Sequence, residues 1–264
     1  MKKLITCLVT IALCLFPSTT SSYSQENWVG SWSTSPVEFS VQKFFGNRFK
    51  DFGLHHLTFR TVIKPTLTGE TVRLTFSNTY GTGPMTIDAV TIAKTISKQR
   101  IKVHTKKNVT FNGSKKVTLR KGETIHSDPL NYHVDALEPM TVSMYMKNTE
   151  QLKTFGLIGG TTYISSGNQV NLPATTGVPM VLNGSFGEYD VIPLFTGLDV
   201  DRPDASSTVI IGDSTLANDI PILYSTKQHL ANVHNVGVLQ QLLRVIDYVL
   251  MEQVDLVWLM VNQC

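Results

Sequence analysis

The chain has 264 residues, 42% hydrophobic and 16% charged, with 23 Lys and Arg against 20 Asp and Glu. So balanced a charge predicts no nucleic-acid partner, and the length exceeds one core at the usual scale of roughly 100–200 residues per domain. Of three cysteines, Cys7 and Cys14 fall in the first segment and Cys264 stands alone at the end, so no disulfide is expected.

Lys2 and Lys3 precede the apolar run Leu4 to Phe16, followed by Pro17 and a Ser/Thr-rich stretch ending near Ser24. That layout predicts a secretory signal peptide over residues 1–24 and a secreted or periplasmic protein. The run is shorter than the roughly 20 apolar residues of a membrane span, so no span is expected.

From residue 25 to 203 the pattern has period two, broken by Gly, Pro, Asn and Asp, and predicts a β-sandwich or jelly roll. In "TVRLTFSNTYGTGP", Val72, Leu74 and Phe76 point one way and Arg73, Thr75 and Ser77 the other, with a turn over Asn78 to Pro84. One face is expected dry and the other wet. Val117 with Leu119, and Val142, Met144 and Met146, repeat the alternation.

After the polar break Asp201-Arg202-Pro203-Asp204 the grammar changes. Thr208 to Ile211 reads as an all-apolar strand of a parallel sheet. Asp219 to Ala231 reads as a helix, with Asn218 or Asp219 as N-cap and Pro221 in the first turn. Asn232 to Gln240 returns to strand character, which completes a βαβ unit within a domain over residues 204–264.

Between that strand and that helix stand Gly212, Asp213 and Ser214. A serine at the carboxyl end of a parallel strand sits where open α/β sheets place ligands, with a positive helix end to favour an oxyanion. Gly212 permits a tight turn, and Asp213 accepts the hydrogen bonds that fix it. With "WVGSWSTSP" (28–36), the stretch from Phe59 to Ala93, "FTGLDV" (195–200) and "VIIGDS" (209–214), the chain resembles the SGNH, or GDSL, hydrolases that carry an N-terminal β-sandwich. The resemblance implies a flavodoxin-like catalytic domain that hydrolyses a small-molecule or carbohydrate ester without metal or cofactor. It makes Ser214 the nucleophile and its N–H an oxyanion donor. The Gly and Asn donors and the Asp-x-x-His motif of that family have no counterpart here, so the chain is expected to be inactive or nearly so. Neither the acyl and alcohol groups nor the oligomeric state is written in a motif.

The stretch from Leu242 to Cys264 departs from the family, which shows Gly-Asn-Arg at this point. Reading the codons one nucleotide earlier makes the Ile246/Asp247, Asp247/Tyr248 and Met251/Glu252 overlaps encode Arg (or a stop), Leu and Gly. The expectation is a frameshift after Gln241 that leaves residues 242–264 as an out-of-frame tail. The alternative is a C-terminal helix over Leu242 to Val261, whose apolar residues follow helical spacing.

The remaining features carry weaker chemistry. His55, His56, His104, His126, His133, His229 and His234 read as surface or packing residues, and Trp28 and Trp32 as packing rather than a sugar-stacking platform. Lys102, Lys106, Lys107, Lys115, Lys116, Arg120 and Lys121 read as a solvated basic face. No metal-ligand spacing or phosphate loop is present. From another class, the competing function is a non-catalytic carbohydrate-binding sandwich.

Overall fold

The computed structural model describes residues 27–38, 54–157, 159–184, 187–212, 236–242 and 258–260. These are nearly all β, with one 3-10 turn at Val103–Thr105. In the strand Gly69–Ser77 the alternation holds from Val72 to Phe76, with Val72, Leu74 and Phe76 buried and Arg73 and Thr75 half-buried, but Ser77, expected on the wet face, is buried with its hydroxyl bonded to those of Thr79 and Thr124. Phe195–Asp201 pairs with it on one side and Thr124–His126 and Leu130–Val134 on the other, all antiparallel. Trp28–Ser33 completes this five-stranded sheet by pairing with Phe195–Asp201.

The facing sheet has seven strands around His55–Ile63, which lies between Gly160–Ser166 and Met140–Asn148. Ala89–Ser97 follows on the far side of Met140–Asn148. Leu57, Phe59, Ile63, Val142, Met144 and Ile92 of this sheet join Val72, Leu74, Phe76 and Leu198 of the other in one apolar core. The molecule is therefore sandwich-like, as its period-two pattern leads one to expect.

The larger sheet departs from the dry-and-wet expectation, with consecutive residues buried along His55–Ile63, Ala89–Ser97 and Met140–Asn148. Along Met140–Asn148, Thr141 and Ser143 are as buried as Val142 and Met144. The cause is a strap over residues 167–177 that crosses the outer face of the larger sheet. Thr58 Oγ1 donates to Gly167 O at 2.6 Å and accepts from Gln169 N at 2.9 Å. Arg60 Nη2 donates to Gln169 O and Leu172 O, each at 3.0 Å. The small side chains of Thr58, Thr91, Thr141 and Ser143 let the strap's backbone come close, and hydroxyls on that face supply its hydrogen bonds.

The polar break at residues 201–204 is a pinned turn. The Arg202 guanidinium grips the Asp204 carboxylate through two bonds of 2.7 Å and donates to Thr68 O at 2.6 Å. Beyond it, Ser206–Gly212 pairs in parallel with Val236–Leu242, with Ser206 opposite Val236 and Gly212 opposite Leu242. Trp258–Met260 adds to the other side of Ser206–Gly212, antiparallel. A helix from Leu242 to Val261 does not fit these two strand segments; residues 243–257 lie outside the described residues, as do the leader and the helix expected at Asp219 to Ala231.

Candidate functional site

Gly212 closes the strand Ser206–Gly212 at its carboxyl end. Asp213 and Ser214, and with them His229 and His234, lie outside the described residues. What the structure does give is the backbone frame on which the expected nucleophile follows. Ser207 Oγ donates to Gly30 O at 2.9 Å, which fastens the start of that strand to the edge strand Trp28–Ser33 of the sandwich.

The histidines of the sandwich are mostly tied locally. His56 Nδ1 and Tyr145 Oη are 2.7 Å apart, His126 Nδ1 and Thr75 Oγ1 3.0 Å apart, and exposed His55 faces Glu150 at 3.5 Å. Burial, then the charge on Arg73, holds His126 below its ordinary pKa. Trp32 is buried, stacks on Phe195 with centroids 4.8 Å apart and donates from Nε1 to Gly159 O at 2.6 Å. Arg73 lies over the Trp28 ring at 4.7 Å and pairs with Asp199 at 2.8 Å. Trp32 is thus core, and the Trp28 face is occupied by a guanidinium rather than open for a sugar.

His133 has a more elaborate setting. The strand Leu130–Val134 runs antiparallel to Gly69–Ser77, and its register shifts between Asn131 and Val134. His133 Nδ1 meets Glu70 Oε1 at 2.7 Å and its Nε2 meets Asp135 Oδ1 at 2.8 Å. Lys94 Nζ donates to the other Asp135 oxygen at 2.8 Å. Hydrogen bonds to Asp135 and then Glu70 raise the His133 pKa, and those from Lys94 and then His133 lower that of Asp135. The result is a row of alternating charge, Glu70, His133, Asp135, Lys94, drawn from both sheets of the sandwich.

Beside this row lies a cavity of about 200 Å³ whose lining includes Pro65, Lys94, Lys102, Asp135, Glu138 and Met140. Tyr132, also in the lining, is 4% exposed and its buried hydroxyl makes no hydrogen bond of ordinary geometry. Burial pushes that phenol up, with the Thr105 hydroxyl opposing. A neutral phenol and a lysine tied to a carboxylate are poor nucleophiles. Sequence reading passed over Lys94, Glu70 and Asp135 because nothing local aligns three residues from separate strands. The one available signal was the polar run His133, Asp135, Glu138 around buried Tyr132 and Val134.

A scan against protein-family models and a search of the curated proteins give no match. Among the described residues no cluster of three or more His, Cys, Asp and Glu is arranged to hold a metal ion, and no helix is long and apolar enough to cross a membrane.

Proposed function

We propose that the chain is of the secreted SGNH ester hydrolase type, with the sandwich leading into the catalytic unit and Ser214 as the nucleophile. The observation that carries this reading is the parallel pairing of Ser206–Gly212 with Val236–Leu242. Parallel neighbours need a crossover of about a dozen residues or more, usually helical, and residues 213–235 supply the length. Strands of an antiparallel sandwich need no such crossover, which supports reading residues 204–264 as a separate unit.

In this reading Ser214 follows the carboxyl end of a parallel strand, where open α/β sheets bind ligands. Its Oγ attacks the acyl carbonyl of a small-molecule or carbohydrate ester, a histidine takes the proton, and backbone N–H groups hold the oxyanion. The family's Asp-x-x-His has no counterpart in the sequence, and loss of triad members costs on the order of 10⁴ to 10⁶ in rate. Slow turnover is therefore expected. Hydrolysis of p-nitrophenyl acetate by the full chain, above the uncatalysed rate and abolished by Ser214→Ala, supports the reading. Equal rates for the two proteins, with no fluorophosphonate adduct on Ser214, end it.

A further inference from the structure

The cavity beside Lys94 and Asp135 has a composition that fits one kind of ligand. Its lining is apolar where Pro65, Pro139 and Met140 contribute, and it also holds donors (Lys94, Lys102) and acceptors (Asp135, Glu138). At about 200 Å³ it is below the roughly 300–1,000 Å³ of pockets for drug-sized ligands, so it is scaled to a single ring. A pyranose has this dual character, with C–H faces that seek apolar surface and hydroxyls that each donate and accept.

Two of the polar groups are unspent. Lys102 and Glu138 are exposed, and among the described residues neither the ammonium nor the carboxylate makes an ion pair or hydrogen bond. Lys94 and Asp135, by contrast, hold each other, and Asp135 is also bonded to His133, so their remaining lone pairs and protons are presented in a fixed orientation.

The wall of the cavity is also fixed. Ala136 N donates to Thr68 Oγ1 at 2.9 Å, Leu137 N to Pro65 O at 2.7 Å, and Glu138 N to Asp135 O at 3.3 Å. Leu137 sits at φ +66°, a conformation a bulky side chain adopts only where its surroundings impose it. Strain of this kind holds Glu138 at the rim rather than leaving it on a loose turn.

We propose that this cavity binds one pyranose unit of a saccharide, gripped by Lys102 and Glu138 at its edge and by the Lys94–Asp135 pair within. The site lies in the sandwich and depends on neither Ser214 nor any hydrolytic step.

The test is a ¹H–¹⁵N NMR titration of the full chain with glucose, galactose, xylose and galacturonate, each up to about 100 mM, with acetate as the control. Expected are saturable shifts at Lys94, Lys102, His133 and Glu138 for at least one sugar, with millimolar dissociation constants. Lys102→Ala combined with Glu138→Ala should weaken binding at least tenfold while the melting temperature stays the same, because neither side chain has a partner to lose. Ser214→Ala should leave the titration unaltered. Absence of shifts at these residues with every sugar overturns the proposal. So do unchanged affinities in the double variant, and so does acetate acting as strongly as galacturonate while the neutral sugars are silent, which would make the cavity a carboxylate site.

Discussion

Arg60 Nε donates to Ser143 Oγ at 2.9 Å across the two central strands of the larger sheet, and the arginine is completely buried with no carboxylate paired to it among the described residues. Its other donors go to backbone: Nη1 to Gln99 O at 2.8 Å, Nη2 to Gln169 O and Leu172 O. Burial pushes the guanidinium down to about 10, so it remains charged at neutral pH. A buried cation matched only by neutral acceptors acts as a clamp that gathers two backbone segments, the turn at Gln99 and the strap, onto the sheet. Arg60→Met strands those carbonyls and should cost about 3–5 kcal/mol, read as a fall in the urea midpoint. Amides of residues 167–173 should lose hydrogen-exchange protection before the rest. Arg60→Lys should recover little, since an ammonium lacks the planar fork that reaches segments on both sides.

In the smaller sheet Asn78, just past the carboxyl end of Gly69–Ser77, plays a similar part. Its Nδ2 donates to Gly83 O and Arg120 O, each at 3.0 Å, and so ties the turn after the strand to the neighbouring hairpin. Asn78→Ala should cost about 1–3 kcal/mol. A Cβ placed on Gly81 would stand 2.0 Å from Asn78 Oδ1, so Gly81→Ala should also destabilise. The three atoms nearest this Cβ all belong to the Asn78 side chain, so the two changes should be strongly non-additive. A double-mutant cycle in urea checks this. Additive costs would mean that the crowding arises elsewhere.

Local alternation was enough to reveal the sandwich, because a strand with one buried face writes that face into every second residue, as Val72, Leu74 and Phe76 do. It failed for Thr141 and Ser143, whose burial comes from the strap that Arg60 holds, some thirty residues further along the chain. An arginine in mid-strand looks like a wet-face residue until its carbonyl partners are known. The same limit hid the Glu70, His133, Asp135 and Lys94 row, which exists only through strand pairing. The strand Ser206–Gly212 was legible for the opposite reason: its signal is the contiguous apolar run Thr208 to Ile211, and it is found where that run puts it.

Trp32 separates packing from hydrogen bonding in the core. Its ring stacks on Phe195, which itself packs against Phe76 at 5.6 Å, while Nε1 reaches Gly159 O. Trp32→Ala should cost about 3–5 kcal/mol through the cavity it leaves. Trp32→Phe keeps a ring on Phe195 and should cost much less, on the order of 1–2 kcal/mol for the orphaned carbonyl and lost volume. Gly159 has φ +98° and its Cβ position lies 3.1 Å from Trp32 Nε1, so Gly159→Ala should be strained in either background. Chemical unfolding followed by circular dichroism reads all three. Equal losses for Trp32→Ala and Trp32→Phe would assign the stabilisation to the hydrogen bond instead.

The row around His133 should leave a signature in the pH dependence of stability. Its pKa is raised in the fold by Asp135 and Glu70, so the stability that its proton contributes is complete below the ordinary value of 6.5 and is lost as pH rises through the folded value. Asp135 is lowered by Lys94 and His133, so its contribution is present above the ordinary value of 3.8 and is lost as pH falls through the folded value. The two windows overlap between those ordinary values. Wild type should therefore exceed His133→Gln in stability most clearly near pH 5.5, with the gap closing towards pH 8.5. The gap should be small, because the His133 side chain is 41% exposed and solvent screens its pairs, and it should narrow further in high salt. Urea midpoints at the two pH values, with Lys94→Met as a companion, measure it. A gap of the same size at both would mean that His133 contributes packing rather than charge. One that grows towards pH 8.5 would reverse the assigned direction of its shift.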